Sequence, residues 1–283
     1  MSDQLICMTR LIQNNFAGHV SKTVLLNALL PFSFASLFGS LIAAARFFPA
    51  GYDWRVLVIS KLTSPHDNPQ GCWLPAVGIM VALLLAFPFA GYVAQRLHGI
   101  APRLGRSAGL AFAFGFVLMF LSVAVQLAQP VIGLRWLHEF LARAAAGTFV
   151  AGMLCCCACA LKDRVRCFGG QGLLPANLAL CWLSLTLLPI GCAVGIGSLM
   201  LLGHPAGLAW AEDFRQSFRH TVFWQLAFWE WIGAGVAFGF LAGSVLLLPA
   251  SCEDTRKRSA RALAPAAGGV DSFCVDDGGH HES

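Results

Sequence analysis

The chain has 283 residues, 57% of them hydrophobic and only 12% charged, a balance that excludes an ordinary soluble domain, in which about a quarter of residues are charged. Nearly all the charge lies in short stretches between long apolar runs, as required where backbone polar groups are satisfied inside helices that cross lipid. The net charge of +5 does not indicate a nucleic-acid partner, because the arginines border apolar segments and no basic cluster sits on a soluble domain.

Residues 1–22 read as a cytoplasmic leader, 23–248 as an all-α polytopic membrane domain, and 249–283, rich in Ala, Gly, Ser and charge, as a disordered cytoplasmic tail. Six runs reach the about 20 apolar residues that a hydrocarbon core demands. They predict a six-transmembrane-helix bundle with spans at 24–45, 73–94, 107–128, 140–161, 176–202 and 222–248. The first ends in Ala43, Ala44 and Ala45, a small-residue pattern suited to cleavage. The run is nevertheless longer than a signal-peptide core of about 7 to 15 residues, so it reads as a permanent anchor.

The first connection, 46–72, carries Tyr52, Trp54 and, at its end, Trp73 as interface anchors. Pro65, Asp67, Asn68 and Pro69 force turns. Ser60, His66 and Asp67 have the residue types of a nucleophile, a base and an orienter, or of a cation site, although loop structure explains Pro, Asp and Asn equally well. Gln126 lies near the end of the third span, with His138 and Glu139 at the head of the fourth. The fourth span holds Cys155, Cys156, Cys157 and Cys159, read as small side chains for helix packing. A metal centre drawn from His66, Asp67, His138, His220 and Glu230 lacks any HxxxH or HxxE spacing, so neither metal nor cofactor is expected.

The connection 203–221 ends in an amphipathic pattern, with Ala211, Phe214, Phe218 and Val222 at helical spacing, suited to the membrane interface. In the last span Glu230 falls eight residues from the start, roughly 12 Å deep at 1.5 Å per residue. An ionisable residue at that depth marks a candidate functional site. Gly235, Gly239 and Gly243 form a small-residue stripe nearly opposite Glu230, a surface for a helix partner, most simply within the same chain.

Twelve of the 19 basic residues fall on the side of the leader and tail, and seven on the other. This bias predicts both ends in the cytoplasm. Both long connections, 46–72 and 203–221, then lie outside, where an activity is expected. Fifteen of the 19 basic residues are Arg, which suits a high-GC bacterium and hence a bacterial plasma (inner) membrane.

Ile59 and Ser60, followed by Pro69, Gln70 and Trp73, with the Glu230 and Trp231 pair in the last span, resemble motifs of the DRAM-like and GPI-anchor lipid-remodelling membrane proteins. With Tyr52, Asp53, Trp54 and Arg55 ahead of the loop, the chain is similar to bacterial members of domain of unknown function 998. Lys61 and Gln70 depart from the acidic residues of the DRAM pattern. The resemblance implies a six-helix bundle that handles, senses or modifies membrane lipid.

The expected function is binding or sensing of a lipid headgroup or small solute at an outer polar site formed by Glu230, Trp231, Ser60, Asp67, Pro69 and His138. The alternatives are a membrane-embedded lipid hydrolase or acyltransferase using Ser60, His66, Asp67 and Glu230, and a transporter or membrane-complex subunit. Pro31, Pro88 and Pro189 leave room for the broken helices of a transporter.

Overall fold

The computed structural model describes residues 20–49, 51–132, 135–166, 174–203, 213, 216–219 and 221–248. The leader and the tail, as drawn from the sequence, lie almost wholly outside the described residues. Regular structure among the described residues is entirely helical. We label the helices α1 (Lys22–Arg46), α2 (Ile59–Thr63), α3 (Trp73–His98), α4 (Pro102–Ile132), α5 (Arg135–Arg166), α6 (Ala176–Gly203) and α7 (Leu226–Leu247).

Five helices are long and apolar enough to cross a membrane: Lys22–Arg46, Trp73–His98, Pro102–Gln129, Trp136–Val165 and Leu226–Leu247. The chain is therefore an integral membrane protein of helical type. The 28-residue α6 carries a further apolar stretch, Ala176–Cys192. The expected prolines act locally. Pro31 follows a π-helical turn, Leu25–Leu29, which relieves the clash and the missing N–H that proline brings to a helix interior. Pro88 opens the second segment of α3 after Phe87, and Pro189 sits inside a continuous α6.

Consecutive long helices pack antiparallel. Ser33 Oγ donates to Ala82 O (2.8 Å) and Ser36 Oγ to Gly78 O (2.9 Å), joining α1 to α3. A Cβ at Gly78 would fall 2.6 Å from Ser36 O, so only glycine admits this approach. Phe89 meets Phe112 edge-on at 5.4 Å between α3 and α4, and Phe116 meets Phe149 at 5.1 Å between α4 and α5. Between α5 and α6 Cys157 Sγ donates to Thr186 Oγ1 (3.6 Å), and the buried Asp163 carboxylate accepts Leu174 N–H (2.8 Å). Trp182 Nε1 on α6 donates to Ser244 Oγ on α7 (2.8 Å), and the indole stacks on Phe240.

The ring closes where α7 returns to α1. Phe34 and Phe38 pack against Phe238 at 5.9 and 5.8 Å. Lys22 Nζ donates to Leu246 O (2.6 Å) and Leu248 O (2.9 Å), satisfying carbonyls that the end of a helix leaves open. The start of α1 and the end of α7 thus lie at one end of the bundle, over a core that includes Val20, Leu25, Leu97, Leu174 and Leu248.

Two boundaries depart from expectation in ways that matter for the site. The last helix starts at Leu226, because Thr221 and Gln225 are extended (ψ 158° and 128°) on either side of a 3-10 turn, Val222–Trp224. Glu230 is therefore about 6 Å, one turn, below the helix start rather than roughly 12 Å. The connection 46–72, expected as turns, contains α2, a single helical turn.

Candidate functional site

The site is built where α2 lies against α7. A one-turn helix cannot satisfy its own first N–H groups, and Val58 before it offers no side-chain cap. Glu230 supplies the cap from 171 residues away: its Oε2 accepts Ile59 N–H at 2.6 Å, and the carboxylate also receives Ser60 N–H. On the other side of Ser60, Gln126 Nε2 of α4 donates to the Ser60 carbonyl at 3.5 Å. Thr63 Oγ1 donates to the same oxygen at 2.9 Å.

Leu62 of α2 is fully buried against Leu41 and Ala44 of α1, with Trp231 packed on the same cluster. Trp231 also stacks on Phe38 at 6.3 Å. Its indole N–H sits beside the Tyr52 oxygen without a well-formed hydrogen bond. Tyr52 donates to Leu57 O at 2.7 Å, closing the segment that leads into α2. Burial, reinforced by the Glu230 and Asp53 carboxylates and opposed by the Trp231 N–H, pushes the Tyr52 phenol up to about 12.

Beyond α2 the chain is held by Asn68, which is fully buried. Its Nδ2 donates to Ala44 O (3.3 Å) and Leu62 O (3.2 Å), and its Oδ1 accepts Gly71 N–H (3.2 Å). A side chain at Gly71 would begin 2.9 Å from Phe47 Cβ and 2.8 Å from Asn68 Nδ2, which explains the glycine.

The residues expected at the site divide. Ser60, Glu230 and Trp231 come together around α2. His66 is 96% exposed and only 3.9 Å from Asp67, itself one-third exposed, and no hydrogen bond joins either to Ser60 among the described residues. Pro69 is exposed. His138 is committed elsewhere: its Nδ1 lies 3.0 Å from both Ser122 O and Ser122 Oγ, and that Oγ lies 3.1 Å from His138 O, tying α4 to α5. His220 lies outside the described residues, as do Ala211 and Phe214 of the amphipathic pattern. Arg219 and its neighbours 216–218 are helical.

Sequence reasoning missed Gln126 and Asn68 as structural members of this region. Gln126 carries the same signal as Glu230, a polar group within an apolar helix. Asn68 reads as an ordinary turn former, and its burial comes only with tertiary packing. Of the glycine stripe, a Cβ at Gly243 would approach Cys181 Sγ to 2.9 Å and one at Gly239 would meet Leu185 at 3.8 Å, both on α6. At Gly235 nothing described lies within 4 Å. No protein-family model, curated protein or solved structure matches the chain.

Proposed function

We propose that the chain is a six-span membrane protein with both ends in the cytoplasm, which binds or senses a lipid headgroup or small solute at an outer-face site around Glu230. The observation that carries the reading is the bonding of a membrane-embedded carboxylate to the backbone of the loop helix, Glu230 to Ile59 and Ser60. The same stretch of α2 is bonded from α4 through Gln126 and from α7 through Glu230, so polar groups of three elements gather around Ser60. The excess of basic residues on the side of the leader and tail supports the orientation. The resemblance of the loop and the Glu230 and Trp231 pair to domain of unknown function 998 and the DRAM-like proteins supports lipid as the ligand class.

Native mass spectrometry of the gently solubilised protein tests the reading. The wild type is expected to retain a lipid or solute that Glu230→Gln releases. Equal retention by both, or none by the wild type, refutes a Glu230 site.

A further inference from the structure

The surface of α4 divides along its length. Gly105, Ala108, Phe112 and Phe116 are buried against the bundle, whereas Arg103, Arg106, Leu110, Phe114, Val117 and Leu121 are exposed. Steps of three and four residues put these six on one helical face. The two arginines therefore stand one turn apart at the head of an apolar stripe, whose members are 44–64% exposed on a helix that crosses the membrane. At 1.5 Å per residue the stripe from Leu110 to Leu121 runs about 17 Å, close to one leaflet of a hydrocarbon core of about 30 Å. The arginines begin where the headgroups begin.

Charge at this end of the bundle is one-sided. The Phe112 ring lies against Gly152, which sets the antiparallel register and brings Lys162 and Arg164 near the end of α5 level with Arg103 and Arg106 near the start of α4. Lys162 and Arg164 are exposed, while Asp163 between them is buried and accepts Leu174 N–H within the protein. The opposite end is mixed, for there Arg143 pairs with Glu139 at 3.2 Å, and Asp53 and Asp67 accompany Arg55 and Lys61. We infer that this face of α4 binds an anionic phospholipid, the Arg103 and Arg106 guanidinium groups holding the phosphodiester and an acyl chain lying along Leu110, Phe114, Val117 and Leu121. Two guanidinium groups one turn apart offer paired N–H donors to phosphate oxygens. The basic residues level with them favour a headgroup of net negative charge, and the apolar stripe favours a lipid over a free phosphate. The surface begins roughly 35 Å along α4 from Gln126, so it is independent of the Glu230 site.

The test uses full-length protein in nanodiscs that hold phosphatidylglycerol and phosphatidylcholine of matched acyl chains at equal mole fraction. Native mass spectrometry after release into detergent reads the retained lipid. The wild type is expected to favour phosphatidylglycerol by about fivefold or more, the weight of one basic residue near an anionic headgroup. The ratio should fall to near parity when Arg103→Gln and Arg106→Gln are combined. Arg46→Gln with Arg55→Gln removes the same charge from the opposite end and should leave the ratio unchanged. All four arginines are exposed, so both double variants should keep the wild-type unfolding midpoint. Parity in the wild type overturns the inference, as does an equal fall in both double variants, which would report net charge rather than this face. Glycerophosphoglycerol, the same headgroup without acyl chains, is expected to leave the bound lipid in place; full displacement at a concentration matching the lipid overturns the role of the apolar stripe. A lipid-free dimer that the Arg103 and Arg106 substitutions dissociate assigns the face to a second copy and overturns the lipid.

Discussion

Replacing Glu230 by Ala leaves two backbone N–H groups at the head of α2 without their acceptor. Exchange of the Ile59 and Ser60 amides is expected to speed by about tenfold or more, as local opening becomes cheaper by roughly 1.4 kcal/mol. Unchanged exchange would show that α2 does not depend on this carboxylate. Asn68→Ala removes the side chain that ties Ala44, Leu62 and Gly71 together. It should lower global stability by about 1–3 kcal/mol, read as a fall in thermal midpoint, because buried carbonyl and N–H partners are left unpaired.

Tyr52 gives a pH signature. A phenol held above its ordinary value of about 10 favours the folded state while it stays neutral. Its contribution is intact below about 10 and is lost as pH climbs toward about 12. The chain has two tyrosines, so the difference in phenolate absorbance between wild type and Tyr52→Phe isolates this one. Glu230 is conspicuous in the sequence because a charge inside an apolar run has few explanations. Its partners are not, because hydrogen bonds to the backbone of Ile59 and Ser60 leave no trace in residue type.

At the scale of elements, the tightest approach of α1 to α3 is at Gly78. Gly78→Leu must push Ser36 and Ser40 aside, and overpacking of this kind costs about 1–3 kcal/mol. Ser36→Ala should cost less, about 0.6 kcal/mol, the average for an interhelical hydrogen bond in a membrane. Gly235→Ala meets nothing within 4 Å among the described residues and serves as the tolerated control. Equal loss in all three by thermal unfolding would contradict the packing described. The positions of the long helices were readable from apolar run length, since lipid imposes that length directly. Their ends were less so. α4 and α5 run further than the apolar stretches because exposed residues such as Arg103 and Arg164 continue the helix beyond them. α2 was invisible, being one turn long and held from outside rather than by its own propensity.

For the molecule as a whole, reporter fusions at residues 100, 168 and 270 are each expected to report cytoplasm. One reporting the outer side would break the proposed six-span, both-ends-inside topology. The antiparallel meeting of α1 and α7 brings the start of the first and the end of the last to one end of the bundle, and Lys22 records that meeting in its bonds to Leu246 and Leu248.

Those bonds, and the one from Ile59 to Glu230, join segments 171 to 226 residues apart. During synthesis at about 5–20 residues per second, α1 and the loop that carries α2 therefore wait on the order of ten to forty seconds for the helix that completes them. Throughout that interval the first helix presents Phe34 and Phe38 to lipid, and α2 has no acceptor for its leading amides. The last helix closes the bundle, and a nascent chain halted before Leu226 is expected to leave α2 without its Glu230 cap.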